Sequence, residues 1–324
     1  MNTTLLYIGK RILHAIPLLF WVIVINFVIV HLAPGDPVSY LAGDLGGASP
    51  EFMEQTRKEF GLDKPLIHQM GIYLSKVLQG DFGYSFRSRE SVLTLILSRV
   101  PATLLLMGTA MLISTLLGIF LGAVYTRRSS FSENVATLFA VAGYSMPAFW
   151  LGQILLIVFS LNLGIFPTQG MISMRFERTG VGAVIDVLHH LILPAITYAT
   201  YNITIVFRLT RSKMLEVLSQ GFIITARGKG LDRRAIIYRH ALPNAILPVI
   251  TVLGVNVGFM FAGSVLVETV FAWPGMGRLI FDAIVARDYP LVMGTLVLIS
   301  IMVVLANLVT DILYALIDPR VVYK

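Results

Sequence analysis

The sequence predicts an all-α integral membrane protein with six transmembrane helices and a small helical insert after the first. Three observations carry that prediction. Of 324 residues 56% are apolar and only 13% are charged, where soluble domains carry about a quarter charged. Six apolar runs are each long enough, at about 1.5 Å per residue, to cross a hydrocarbon core of about 30 Å. Lysine and arginine gather in alternate connections between those runs. There is no cysteine, which excludes a disulfide framework, a thiolate metal site and a thiol nucleophile.

The first run, 12–32, follows Lys10-Arg11 and ends in Ala33-Pro34-Gly35-Asp36-Pro37. It is longer than the core of a secretory signal and lacks an A-x-A-like exit, so residues 1–32 read as a cytoplasmic N-terminus and a retained span. Residues 33–99 turn polar with helical periodicity, a folded extracytoplasmic insert. Ser49-Pro50-Glu51 combines an N-cap, a first-turn proline and a first-turn acid; Phe52, Thr56 and Phe60 share one face, and Gly61 closes the helix. Asp63-Lys64-Pro65 starts a second helix, and Gln79-Gly80-Asp81-Phe82-Gly83-Tyr84-Ser85 is a turn. The insert's acids sit on amphipathic surface and read as a solvated face. Spans follow at 101–125, 134–161, 188–210, 242–267 and 290–317, a five-helix core over 100–317, with a cytoplasmic tail at 318–324.

Charge sets the orientation. Segments 1–11, 126–133, 208–241 and 317–324 hold 14 of the 25 Lys and Arg. Seven of the others fall in the long insert, which the positive-inside rule discounts, leaving 14 against 4 and both termini in the cytoplasm. The net charge of +7 is therefore an orientation signal, and nucleic acid is not an expected partner.

Catalytic chemistry finds no constellation. Gly228-Lys229-Gly230 lacks the upstream glycine and the hydroxyl of a phosphate-binding loop. His189-His190 point about 100° apart on a helix, with no third ligand at metal spacing, and read as headgroup-level anchors. Ser145 and Ser264 lack the turn and facing histidine of a hydrolase. Polar residues inside spans are the candidates for a solute path: Gln153, Asn202, Asn256 and Ser264, each with helix-to-helix hydrogen bonding as the plainer role. Asn307 and Asp311, four apart, read as a structural pair. Gly254, Gly258, Ala262 and Gly263 permit close helix approach or bends in the fifth span.

The stretch the chain is organised around is Phe222 to Thr251, which sets Arg227, Lys229, Arg233, Arg234 and Arg239 against one acid, Asp232. Gly230 breaks a first helix, Asp232 N-caps a second, and Leu242-Pro243 opens the next span. The spacing of Ala226, Gly230 and Leu242-Pro243 resembles the cytoplasmic EAA loop of ABC importer permeases. Where that loop has Glu-Ala-Ala this chain has Ile224-Thr225-Ala226. The variant Thr-Ala-Arg-x-Lys-Gly-Leu followed by Arg-His-Ala-Leu resembles the dipeptide, oligopeptide and nickel branch. Val100-Pro101-Ala102-Thr103, His190 to Thr197, Val267 to Leu279, Arg287-Asp288-Tyr289-Pro290 and Asp318-Pro319-Arg320 are similar to family signatures in family order. Met293 departs from a frequent glutamine.

The resemblance implies a type I ABC importer permease in a bacterial or archaeal inner membrane, half of a channel for di- or oligopeptides, with nickel or a metal chelate as the alternative. It implies a second, homologous permease, two cytoplasmic ATPase subunits and an extracytoplasmic solute-binding protein. No cofactor is expected on this chain; ATP and Mg belong to the partners. Phe222, Ile223, Thr225, Ala226, Arg227, Lys229, Gly230 and Leu231 are the residues implied in ATPase coupling, with His240, Leu242 and Pro243 completing the loop motif. The competing class, an ion-driven secondary transporter, calls for inverted repeats around a midplane ion site. No internal repeat is visible, and Asp311 is the one clearly intramembrane acid.

Overall fold

The computed structural model describes residues 2–32, 49–59, 63–126, 143, 145–173 and 179–317. Among them the regular structure is helical, apart from one isolated antiparallel bridge between Tyr84 and Ser91. The helices are α1 (Asn2–Leu32), α2 (Pro50–Glu59), α3 (Leu66–Leu78), α4 (Val92–Tyr125), α5 (Ala148–Leu155), α6 (Val181–Leu218), α7 (Gly221–Gly228), α8 (Arg233–Ala235), α9 (Leu247–Phe259), α10 (Val265–Val270), α11 (Met276–Val285) and α12 (Tyr289–Ile317). Wider π turns extend α5 over Leu156–Asn162 and α8 over Ile236–Ala241, the latter followed by a short helical turn, Leu242–Ala245.

Among the described residues four stretches are long and apolar enough to cross a membrane: Leu13–Leu32, Val92–Tyr125, Val181–Leu218 and Tyr289–Thr310. The pair Arg233–Ala245 and Leu247–Ala262, bent by 45°, makes a fifth if taken as one span. The expected span at 134–161 is described only in part, as Ala148–Asn162. Leu13, Trp21, Leu112 and Phe120 stand largely exposed on these helices, a face suited to lipid rather than water.

The ends differ from the apolar windows. α4 starts at Val92, inside the segment read as insert, and Pro101 sits within it; α6 runs from Val181 to Leu218. Apolarity locates the bilayer crossing but not where backbone hydrogen bonding stops. The span expected over 242–267 instead ends near Ala262, because Gly263 takes φ 70, ψ −170, a region open to glycine alone. Asp186 lies inside α6 and is buried, two residues before the apolar window that begins at 188. The face of Phe52, Thr56 and Phe60, the side chain of Asp311 and residues 318–324 lie outside what is described.

The chain divides into two compact units, Met1–Pro101 with Gly275–Lys324, and Ala102–Pro274. In the first, α1 packs along α12, with Phe27, Ile96, Val92, Met276 and Val297 in the core. The expected turn after α3 is there, with Gly80 at φ 76 and Gly83 at φ 77. Asp288, at the start of α12, fastens the following loop: it accepts from the Ser85 hydroxyl, from the N–H of Phe86 (3.1 Å) and Arg87 (3.3 Å), and from Leu291 N–H (3.3 Å). Met293 is buried in this core.

In the second unit α4 and α6 approach through glycine. A Cβ on Gly118 would fall 2.7 Å from Val206, and one on Gly122 would fall 2.7 Å from Thr210. The corner carrying α10 is pinned by two side chains. Trp273, fully buried, donates its indole N–H to the Ala102 carbonyl (2.8 Å). Glu268, also fully buried, accepts from the Thr103 hydroxyl (3.1 Å) and from Ser264 N–H (3.4 Å).

Candidate functional site

The basic loop folds as a helix, a glycine turn and a second helix. α7 is short, and its end is closed in two steps: Gly230 N–H donates to the Arg227 carbonyl (2.9 Å) and Leu231 N–H to the Ala226 carbonyl (3.3 Å). That pairing needs a left-handed residue, supplied by Gly230 at φ 75. Asp232 then caps α8 by accepting from Arg234 N–H (3.1 Å), as the sequence predicts. Pro243 has no N–H to offer the Arg239 carbonyl. The preceding turn widens instead, so that Leu242 N–H bonds the Ile237 carbonyl five residues back; the His240 carbonyl accepts from the Asn244 side chain (2.7 Å).

The two faces of α7 do different things. Ile223 and Ala226 are buried against Met214, Val217, Ile236 and Ile237, so they fix the helix to its own unit. Phe222, Ile224 and Leu231 remain 42%, 63% and 40% exposed, and Thr225, Arg227, Lys229 and Gly230 are exposed beside them. A cavity of about 380 Å³ opens next to them, lined by Arg227 and Arg233 with Leu218, Leu231, Ile236 and Ile237. None of Arg227, Lys229, Arg233, Arg234 and Arg239 has an ion-pair partner among the described residues. The short helix is thus held by one face and carries uncovered apolar side chains and unanswered cations on the other.

Of the four solute-path candidates, the structure brings two together. Asn202 and Asn256 line a cavity of about 30 Å³ with Ser114 and Tyr198, room for a water; the Asn202 amide also points at the Tyr198 carbonyl (3.5 Å). Gln153 is exposed on α5. Ser264 starts α10, its hydroxyl accepting from Val267 N–H (3.4 Å). The paired histidines bond main-chain oxygens, His189 to Ile165 and His190 to Asp186, each at 2.8 Å. Asp186 in turn accepts from Ser173 N–H (2.6 Å) and from the Ser173 hydroxyl (2.7 Å). Sequence reasoning missed Asp186, Glu268 and Asp288 as anchors. Asp186 and Glu268 lie just outside the apolar windows drawn, and the partners of Glu268 and Asp288 are far away in sequence.

Residues 114–323 match the family described as binding-protein-dependent transport system inner membrane component, and residues 4–107 match the N-terminal region of such membrane components. The dipeptide transport system permease protein DppB of Escherichia coli (strain K12) is 41% identical over 336 residues, covering 98% of this chain and 99% of that protein. The di/tripeptide transport system permease protein DppB of Pseudomonas aeruginosa (strain UCBPP-PA14) is 40% identical over 331 residues, covering 97% and 98%. The glutathione transport system permease protein GsiC of Escherichia coli (strain K12) is 40% identical over 319 residues, covering 98% and 99%.

Proposed function

This chain belongs to the binding-protein-dependent transport system inner membrane component family, and from that premise we propose that it forms half of the path by which an ABC importer takes up peptides. It is a multi-pass inner-membrane transport subunit, not an enzyme, and it works with a binding protein and ATPase partners. In our reading a second, homologous permease completes the channel, two ATPase subunits dock in the cytoplasm, and the binding protein meets the outer side. Both termini then face the cytoplasm, and residues 33–99 lie outside. Peptide is favoured as cargo by the names of the relatives; nickel or a metal chelate is the alternative within the family. ATP and Mg stay on the ATPases.

The observation that carries the coupling assignment is the split helix α7. Ile223 and Ala226 transmit force because they are embedded in the core, while Phe222, Ile224 and Leu231 are free to enter a groove on the ATPase. Phe222 is already more than half buried, so covering the rest contributes about 1 kcal/mol, enough to help and too little to hold the complex alone. The unopposed cations favour an acidic face on the partner. Closure of the ATPase pair around ATP then pulls α7 and rocks the spans, and in our reading this opens the narrow space beside Asn202 and Asn256 to the solute.

Uptake in proteoliposomes holding this chain, the second permease, both ATPases and the binding protein tests the reading. Phe222→Asp should leave insertion intact, keep the basal ATPase rate and abolish ATP-driven peptide uptake. Normal uptake by that variant, or transport by this chain alone on an ion gradient, overturns it.

A further inference from the structure

In the first unit a second cavity, of about 310 Å³, has walls from α1, α3, the loop after α3 and the start of α12. Its volume falls where small-molecule sites begin. The walls are dominated by rings: Phe27, Tyr73, Tyr84 and Tyr289 all line it, and the Phe27 and Tyr73 ring centres lie 5.9 Å apart. Two opposite charges share the same cavity, Lys76 and Asp81. They are brought together by the closure of α3, where Asp81 N–H donates to the Lys76 carbonyl (2.9 Å) across Gly80 at φ 76. Yet the side chains do not pair. Lys76 has no side-chain partner among the described residues, and the Asp81 carboxylate gives one oxygen to Gly83 N–H (2.9 Å) and keeps the other.

A third feature points the same way. The Tyr73 hydroxyl is buried with no hydrogen-bond partner among the described residues, and burial pushes its pKa up from the ordinary phenol value. Buried polar groups left unanswered in a protein interior are rare.

We propose that this cavity binds a zwitterion, with the ligand's ammonium over the rings beside Asp81 and its anionic group on Lys76. An ammonium gains from aromatic faces and from a carboxylate, and gains most where water is displaced. An anionic oxygen gains from the lysine. Two sources have this chemistry, a free peptide and the ethanolamine headgroup of a phospholipid. The site is independent of the coupling assignment, since none of its residues belongs to the α7 loop.

The test uses the full chain in nanodiscs. Equilibrium dialysis with labelled alanyl-alanine, against its N-acetyl form, reads the peptide source. Native mass spectrometry of lipid retained from an equal mixture of phosphatidylethanolamine and phosphatidylglycerol reads the lipid source, because the second lipid has the phosphate but no ammonium. The zwitterion should bind in preference to its single-charge control in at least one arm. Lys76→Gln, Asp81→Asn and Tyr84→Ala should each weaken that binding by about tenfold. Tyr84 is mostly exposed, so its loss spares the fold, and an unchanged unfolding temperature verifies this for all three. No preference in either arm, or binding that survives all three substitutions, overturns the proposal.

Discussion

The ends of α3 and α7 are built on one backbone device and differ in how the chain beyond them is held. Gly80 and Gly230 sit at φ 76 and 75, and each is followed by a six-to-one closure, Asp81 N–H to the Lys76 carbonyl and Leu231 N–H to the Ala226 carbonyl. At neither glycine would a Cβ meet an atom within 4 Å, so the backbone angle, not crowding, requires the residue. Beyond Gly80 the chain is answered from within: Phe82 enters the core, and the loop is fastened to Asp288. Beyond Gly230 only Asp232 is negative, and it is used as a cap, so the arginines that follow are left to the surroundings. After the same corner the chain is tied into the core of its own unit in one case and left uncovered in the other.

Replacing each glycine with proline breaks the comparison most sharply. Proline cannot take either angle and removes the N–H that bonds the carbonyl three residues back, a local cost of about 3 kcal/mol. Gly230→Pro should reduce ATP-driven uptake to background while the chain still inserts, because the exposed face of α7 is misdirected. Gly80→Pro should lower yield and unfolding temperature but leave uptake per folded transporter near that of the unaltered protein. Equal loss of uptake in both would mean that the two corners do the same job.

A smaller effect is expected at the anchor that makes the first corner self-sufficient. Asp288→Ala strips the acceptor from one hydroxyl and three backbone N–H groups, leaving buried donors unanswered at a cost of about 2 to 3 kcal/mol. Thermal unfolding in detergent should shift down by several degrees, with Asp288→Asn in between. An unshifted transition would show that the loop is held by Phe82 alone.

The sequence makes these corners partly legible. Gly80, Gly230 and the Asp232 cap are readable because turn chemistry is local, and the windows at 12–32, 101–125, 188–210 and 290–317 fall on long helices because crossing a bilayer takes about 20 residues. What escapes is set by distant partners. Nothing near Glu268 announces Thr103, and nothing near Asp288 announces Ser85. Gly118 and Gly122, a G-x-x-x-G spacing within an apolar run, do carry a local signal of close helix approach. The division of α7 was half visible: Ile223 and Ala226 lie three apart on one face, but only the packing of Met214 and Ile236 against them shows that face to be inward.

The smallest effect separates shape from charge at the open corner. Asp232 does two things: it caps α8, and it is the single acid among the loop's cations. Asp232→Ala removes both, and the lost cap costs about 1 kcal/mol. Asp232→Asn keeps the cap, since asparagine serves as well there, and removes only the charge. If the partner surface is acidic, the asparagine variant should hold the ATPase slightly more tightly at low salt, a gain below about 1 kcal/mol that fades as salt screens it. The alanine variant should bind less tightly than the asparagine variant at every salt concentration. Pull-down of the ATPase onto nanodisc-held permease across a salt series reads both. Identical behaviour of the two variants would mean that the cap does not shape the docking face, and weaker binding by the asparagine variant at low salt would place positive charge on the partner.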